Sequence, residues 1–563
     1  MTKDELKNAL AGVLQGEVSN DAVALEKASR DTSLFERMPK LVVYPKDAKD
    51  VSAAVREVAR ARSAGADVSL AARAGGTDMS GGPLTTSIVV SFTKHMNHVL
   101  EVSSNLEARP PSEGYAVTEP GVYYRDFEKA TLEKGFILPS YPASREIAAM
   151  GGIVANNSGG ERTLKYGQTE RYVEELEVVL SDGSQVTFKA LTPAELEEKK
   201  KLQTLEGAIY REMDALITDN AGLIEGRRPR VSKNSAGYAL WSVLDAKTGT
   251  FNLAKLICGS QGTLALWTKA ELSLVKPKGH RAMLVAFLYD LSDLPEIVKR
   301  VLAQGPESFE SYDDHTFTLA VKFIPEMLSQ MGLFKAARLG IDFISEAAMV
   351  ATGGVPKLIL MAEFAEDTIE EADRKALLAK EALADLHLHT KIEKDEKESE
   401  KYWIVRRESF SLLRKNVHGL HTAPFIDDFV VPPSSYPDFL PKLNALLEEY
   451  SSHFIYTIAG HIGNGNFHII PLMDLTKEEN RQVILDLAPR VYELVTREGG
   501  TTTGEHNDGI IRTPYLKLVF GAEMVALFER TKKIFDPLNI FNPGKKVGGT
   551  FADIERDMIK TAP

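Results

Sequence analysis

The sequence predicts an α+β chain of more than one domain, and three observations carry that reading. The chain has 563 residues, and a length of that order implies about two to four domains or subdomains. Its first part alternates short β-branched strands and an amphipathic helix with glycine-rich loops. From about Pro277 the texture changes to long strands alternating with long amphipathic helices, which places the main boundary near residues 275–280.

Composition excludes several classes. Hydrophobic residues make up 44% and charged residues 26%, ordinary for a globular chain that faces water. The net charge of −12 argues against nucleic acid or an anionic membrane as the main partner, while leaving room for a local basic patch around an acidic substrate. A single cysteine, Cys258, cannot form a disulfide within the chain or hold an iron–sulfur cluster through four of its own thiolates. It lies in the apolar run Leu256-Ile257-Cys258-Gly259 and reads as a small buried hydrophobe. Residues 1–20 are charged and amphipathic without the apolar centre of a secretory signal, and no run of about 18 apolar residues predicts a membrane span.

In order, residues 1–30 read as one or two short helices. Lys40-Leu41-Val42-Val43-Tyr44-Pro45 is a strand closed by proline, and 47–64 a helix with Asp47 as N-cap and Val51, Val55 and Val58 on its apolar face. Residues 68–73 form a second strand, so the opening is strand–helix–strand. Strands follow at 87–91 and 115–122, then a helix at 124–134, a strand at 173–180, and a Ser181-Asp182-Gly183-Ser184 turn into 185–189. Cys258 to Trp267 is a turn leading into an apolar strand. The charge-dense stretches 193–203 and 391–401 read as solvated helix or linker surface.

Two stretches are rich in small residues. Arg73-Ala74-Gly75-Gly76-Thr77-Asp78-Met79-Ser80-Gly81-Gly82 carries four glycines directly after a strand. It leaves backbone N–H groups free to surround a phosphate, although the same composition also suits an irregular loop. It is neither a Walker loop nor a Gly-x-Gly-x-x-Gly fingerprint. The second, Ala149-Met150-Gly151-Gly152-Ile153-Val154-Ala155-Asn156-Asn157-Ser158-Gly159-Gly160, allows a flat ligand to lie on the backbone.

A third stretch carries side-chain chemistry. Gly460-His461-Ile462-Gly463-Asn464-Gly465-Asn466-Phe467-His468 lies between β-branched and aromatic flanks. Asn464-Gly465 predicts a two-residue type I′ hairpin turn. That register pairs His461 with His468 on one face, with Cβ atoms roughly 4.5–5.5 Å apart. After a helical pattern at 481–497, Gly504-Glu505-His506-Asn507-Asp508-Gly509 places a carboxylate beside an imidazole in a turn-rich loop. Two imidazoles and a carboxylate form a common catalytic metal set. The same residues also fit a histidine pair packed on a sheet beside an exposed loop.

Eight segments in order resemble one family: 73–82, Glu119-Pro120-Gly121, 151–160, Tyr166-Gly167, 259–263, 460–468, 504–509 and Phe535-Asp536-Pro537-Leu538-Asn539-Ile540-Phe541-Asn542-Pro543-Gly544. They resemble the FAD-linked oxidoreductases with a flavin domain of the vanillyl-alcohol-oxidase/p-cresol-methylhydroxylase (PCMH) type. The branch most similar is that of the D-2-hydroxyacid dehydrogenases, which includes D-lactate dehydrogenase, the glycolate oxidase flavoprotein subunit and D-2-hydroxyglutarate dehydrogenase. The resemblance covers about residues 30–548. It implies an N-terminal helical segment at 1–36 and a PCMH-type FAD-binding domain of two α/β subdomains at 37–277. A substrate domain with an antiparallel sheet and covering helices would follow at 278–524, and a segment returning to the flavin domain at 525–563.

The resemblance also implies roles. The backbone of Arg73, Ala74, Gly75, Gly76, Thr77, Asp78 and Met79 would hold the FAD pyrophosphate. Pro139, Gly151, Gly152, Asn156, Ser158 and Gly262 would line the flavin, and Asn542 would close that site. His461, His468 and Glu505 would ligate a divalent ion, zinc or manganese. His506 would take the substrate hydroxyl proton. Arg406 would pair with the substrate carboxylate, for which its planar fork is suited, while Arg407 suits a surface ion pair. No histidine lies in 73–82, so FAD is expected to be non-covalent. Asn464 replaces the family's usual Asp and keeps the turn. Asn507 stands where many relatives carry Gly, which predicts a reshaped loop after His506. Ile470 stands where the 2-hydroxyglutarate branch carries a substrate-contacting Asn, which predicts a D-lactate-like monocarboxylate rather than a dicarboxylate.

The activity so implied is oxidation of a D-2-hydroxy acid to the 2-oxo acid. Electrons would pass on to a quinone or an electron-transfer protein. No nucleic acid partner is expected, and a homodimer in the cytoplasm, at most peripheral to the inner membrane face, is the expected setting. The rival readings are a metal-independent flavin oxidase of alcohols or sugars, and a flavin subunit that acts only within an electron-transfer complex.

Overall fold

A computed structural model describes residues 1–104, 112–314, 316, 354–394, 398–407 and 419–562. Nineteen strands form four sheets among these residues. In the first, β2 (Leu41–Tyr44), β3 (Leu70–Arg73) and β4 (Ile88–Ser91) run parallel with β4 central, and β1 (Glu17–Ser19) pairs antiparallel with β2. The helix Ala48–Ser63 makes the crossover from β2 to β3. Its N-terminus is capped as read, with the Asp47 carboxylate accepting from the backbone N–H of Lys49 and Asp50. β1 has no sequence signature: its three residues are half exposed, and only its pairing with the apolar β2 makes it a strand.

The second sheet has the order β5-β6-β10-β7-β8-β9 and is antiparallel throughout. It is built from Val99–Ser103, Gly114–Thr118, Leu266–Leu274, Val173–Val179, Gln185–Leu191 and Phe251–Asn252 respectively. Val51, Val55 and Val58 of the crossover helix share one core with Val179 and Leu266, so the first two sheets clamp that helix between them. On the other side, Tyr210 and Met213 of helix Leu205–Asp219 pack with Phe520, Met524 and Phe528 of helix Leu516–Phe535. The chain's last part thereby returns to its first. Beyond that helix the Leu70 N–H donates to the Ile540 carbonyl at 2.7 Å, and the Asn542 N–H to the Leu70 carbonyl at 2.7 Å.

The third sheet has the order β14-β11-β13-β12-β17-β18-β16 and is antiparallel. Its strands are His389–Glu393, His280–Leu288, Leu358–Glu366, Ser308–Asp313, Ile458–His461, Asn466–Ile469 and Phe429–Val430. Helices Leu294–Leu302, Ile369–Glu381, Tyr436–Glu449 and Glu478–Arg497 cover one core with it. A small pair, β15 (His421–Thr422) with β19 (Leu472–Met473), extends its rim. Among the described residues no helix is long and apolar enough to cross a membrane.

The hairpin around His461 differs from the predicted register. His461 pairs with Asn466, and Ala459 with His468. Asn464-Gly465 is not a two-residue turn: Ile462–Asn464 form a 3₁₀ turn, closed by Gly465 in the left-handed region at φ 73°. Tertiary contacts impose this. The Asn464 carbonyl accepts from the Ser232 hydroxyl, and a Cβ on Gly465 would lie 1.8 Å from the Val431 carbonyl. The shift is two residues, so both imidazoles keep the same face. They become diagonal neighbours with ring centroids 5.2 Å apart.

Candidate active site

One cleft of about 720 Å³ runs between the first two sheets and the third sheet, a volume typical of a small-molecule or cofactor site. One wall is main chain. A Cβ on Gly75 would lie 2.6 Å from the Ile147 carbonyl, and one on Gly151 2.7 Å from the Pro120 carbonyl. Three backbone segments therefore approach as only glycine permits. Gly152, on the first turn of helix Met150–Asn156, has nothing within 4 Å of its would-be Cβ and lines the cleft, presenting bare backbone to it. Asp78 fixes the loop. Its Oδ1 accepts from the N–H of Ser80 and of Gly82, and its Oδ2 accepts from the Asn156 amide at 2.9 Å, tying the two small-residue stretches together.

Polar atoms on this wall lack partners among the described residues. Arg73 Nη1 is buried without one, and so is Asp31 Oδ2. Burial, then the charge of neighbouring Asp78, pushes the Asp31 carboxyl up to about 7. Such groups fit the polar chain of an extended ligand. Of the flavin positions read from sequence, Arg73, Ala74, Gly75, Gly76, Thr77, Asp78, Met79, Gly151, Gly152, Asn156, Ser158 and Gly262 line the cleft. Pro139 is buried outside the lining, where Pro142 stands instead. Asn542 also lies behind the wall, its amide donating to the carbonyls of Gly82 and Gln261 at 2.9 and 2.8 Å.

The facing wall is made of side chains. Glu505 Oε1 lies 3.3 Å from His461 Nε2, 3.5 Å from His468 Nε2 and 4.0 Å from His506 Nε2. Each imidazole uses its other nitrogen on a buried carboxylate. His461 Nδ1 is 2.6 Å from Glu310 Oε1, His468 Nδ1 3.1 Å from Asp427 Oδ1, and His506 Nδ1 2.7 Å from Asp427 Oδ2. This leaves three Nε2 atoms converging on one carboxylate oxygen. Two ligands on a tetrahedral ion at about 2.0–2.1 Å stand roughly 3.3 Å apart, so the His461–Glu505 and His468–Glu505 separations each suit a pair of metal ligands as well as a hydrogen bond. Histidines that ligate a metal through one nitrogen commonly hold a carboxylate with the other.

Electrostatics follow from burial and pairing. Burial alone would depress His468, but Asp427 and Glu505 push it up to about 10. Burial would raise Glu505, yet Lys233 and His461 hold it well below the usual carboxylate range. Lys233 is fully buried, with Nζ 3.0 Å from Glu505 Oε2. It occupies that oxygen and turns Oε1 toward the imidazoles. Asp428 lies within 4.8 Å of His468, Glu505 and His506, but its oxygens are already engaged. Oδ2 accepts from the N–H of Glu505 and of His506 and from Thr503 Oγ1, and Oδ1 accepts from the Asn466 amide. Asp428 thus anchors the loop that carries Glu505 and His506. Asn507 takes φ 68° itself, the left-handed conformation a glycine would supply and one asparagine tolerates. The replacement therefore does not oblige a different backbone conformation there.

Arg406 and Ile470 both line the cleft. Arg406 Nη2 lies 3.2 Å from Glu310 Oε2, and its buried Nε has no partner among the described residues. Arg407 pairs with Glu161 at 2.7 Å and lies over the Trp403 ring, an ion pair as read. Sequence reasoning missed Lys233, Glu310, Asp427 and Asp428. Asp427-Asp428 ahead of an apolar strand reads as a turn, and Lys233 sits in no motif. Glu310 carries one signal, an acidic residue in the middle of a short strand.

Comparison with known proteins adds the lineage. Residues 39–189 match the FAD binding domain, and residues 277–546 match the FAD linked oxidases, C-terminal domain. The chain is 29% identical to a D-2-hydroxyglutarate dehydrogenase of Pseudomonas putida over 542 residues, covering 94% of this chain and 50% of that protein. It spans about half the length of the first such relatives it matches. It is 27% identical to a D-lactate dehydrogenase of Archaeoglobus fulgidus, covering 90% of this chain and 91% of that one. The solved structure of 4-ethylphenol oxidase from Gulosibacter chungangensis superposes with a TM-score of 0.67 at 16% identity, covering 98% of both chains. That likeness speaks for the fold.

Proposed function

Because the chain belongs to the FAD-linked oxidases of the PCMH type, we propose that it oxidises a D-2-hydroxy monocarboxylate, D-lactate or a slightly larger acid, to the 2-oxo acid. Residues 37–277 would bind FAD without a covalent link, 278–524 the substrate, and 525–563 would return to the flavin domain. His461, His468 and Glu505 would hold one zinc or manganese ion. The observation that carries the reading is the convergence of three Nε2 atoms on Glu505 Oε1 in the cleft that also holds the glycine-built wall and Arg406.

When bound, FAD supplies a two-electron acceptor and the ion supplies Lewis-acid polarisation of the substrate hydroxyl. The remaining work belongs to the chain. Arg406, whose buried Nε has no partner among the described residues, binds the carboxylate beside the reacting carbon. His506 Nε2 takes the hydroxyl proton, and Asp427 on its Nδ1 fixes the ring and stabilises the charge it gains. Lys233 keeps Glu505 Oε1 facing the cleft. A quinone or an electron-transfer protein would then reoxidise the enzyme.

The relatives' names include both a dicarboxylate and a monocarboxylate substrate. Ile470 favours the second. It lines the cleft with apolar surface, where a distal carboxylate would lose hydration without a partner and an apolar tail would gain about 0.8 kcal/mol per buried CH₂. Stopped-flow flavin bleaching against D- and L-2-hydroxy acids tests the reading. D-lactate should bleach the flavin faster than L-lactate and D-2-hydroxyglutarate. No bleaching by any D-2-hydroxy acid would sink it.

A further inference from the structure

Glu310 touches two of the groups on which the proposed reaction depends. It lies in β12 with a side chain 1% exposed. β12 pairs antiparallel with β17 through Ser311–Gly460 and Tyr312–Ala459. One step further in that register sets Glu310 opposite His461, on the same face of the sheet. Its two oxygens are divided. Oε1 lies 2.6 Å from His461 Nδ1, and Oε2 lies 3.2 Å from Arg406 Nη2.

We infer that Glu310 is a positioning residue that couples the metal-binding imidazole to the carboxylate-binding guanidinium through one buried carboxylate. The inference rests on the proposed roles of His461 and Arg406. Accepting the proton on His461 Nδ1 leaves Nε2 as the nitrogen with the free lone pair, aimed at Glu505 Oε1. Holding Arg406 through Nη2 fixes the guanidinium plane at the cleft and leaves its remaining N–H groups for the substrate. Both groups are thereby referred to the same rigid central strand. The distance between the ion and the bound carboxylate is set by the span of one side chain rather than by two independent supports.

A glutamine at 310 has a single acceptor oxygen, and its NH₂ would face either the Nδ1–H or the guanidinium as donor against donor. The experiment uses the full FAD-loaded chain, wild type and Glu310→Gln. Zinc affinity is measured by competition with a chromophoric chelator. KM and kcat are measured for whichever D-2-hydroxy acid the wild type oxidises fastest. The expected result is a roughly 10–100-fold loss of zinc affinity together with a rise in KM, while kcat at saturating zinc and substrate falls less than KM rises. FAD content should not change, which a merely structural role would not predict alongside those shifts. Glu310→Asp, which keeps the charge but withdraws it by one CH₂, should move both readouts as well and serves if Glu310→Gln does not fold. If only one readout moves, or neither, the coupling is overturned while the site reading survives. Wild-type chain that binds no zinc or manganese would overturn the site reading, and the coupling with it.

Discussion

The two walls of the cleft reach the same surface by opposite means. The flavin-side wall is backbone, opened by Gly75, Gly76, Gly151 and Gly152 and tied by Asp78. Its information is the absence of side chains over two short stretches. The facing wall presents side chains from 406, 461, 468, 505 and 506, held from behind by 233, 310 and 427, positions brought together only by the third sheet and the loops beside it. The first wall should therefore fail by the addition of a methyl group. The second should fail by the loss of one functional group, even when volume is kept.

The largest effect expected is on metal removal. Exhaustive chelation should abolish turnover while the protein stays yellow, because the proposed ion would sit on the imidazole wall and the flavin against the glycine-built one. Full activity after demetallation would make the imidazole cluster a hydrogen-bonded structural unit. Next is His506→Ala, expected to slow flavin reduction by roughly 10²–10⁴-fold with little change in substrate binding. Normal single-turnover reduction would move the base elsewhere.

The glycine pair offers a sharper contrast. Among the described residues a methyl on Gly152 meets nothing within 4 Å, whereas one on Gly151 meets the Pro120 carbonyl at 2.7 Å and Ala74 Cβ at 2.9 Å. Gly152→Ala should leave the thermal midpoint of the FAD-free chain unchanged and weaken FAD binding. Gly151→Ala should destabilise the FAD-free chain by about 1–3 kcal/mol, as overpacking does. Unchanged FAD affinity in Gly152→Ala would show that Gly152 does not face the ligand. The smallest effect concerns substrate choice. Ile470→Asn should shift the kcat/KM ratio toward D-2-hydroxyglutarate over D-lactate by about tenfold, or 1.4 kcal/mol. A wild-type preference for the dicarboxylate would remove the role given to Ile470.

Much of the local structure was legible without coordinates. Asp47 before an apolar period announced its helix, and Ser181-Asp182-Gly183-Ser184 joined its two strands as read. These are short-range effects of capping, turn chemistry and alternation. The hairpin shows where such reasoning stops. Asn464-Gly465 is a genuine turn signal, but its geometry is decided by Ser232 and Val431, each more than thirty residues away. The histidines meet all the same, because a two-residue slip preserves the face of a strand.

By itself the sequence determined which backbone can come close to a ligand, since glycine acts where it stands. It also supplied the order of segments that marks the family, and the imidazoles and carboxylate at 461, 468, 505 and 506. Only the tertiary structure decided which nitrogen of each imidazole is left free, because that depends on Glu310 and Asp427, which no spacing relates to the histidines. It also decided that Glu505 presents one oxygen rather than two, through Lys233, and that Asp428 is an anchor. The physical reason is range. Turns, caps and bare backbone follow from neighbouring residues, whereas a buried charge takes its orientation from whichever opposite charge the fold delivers.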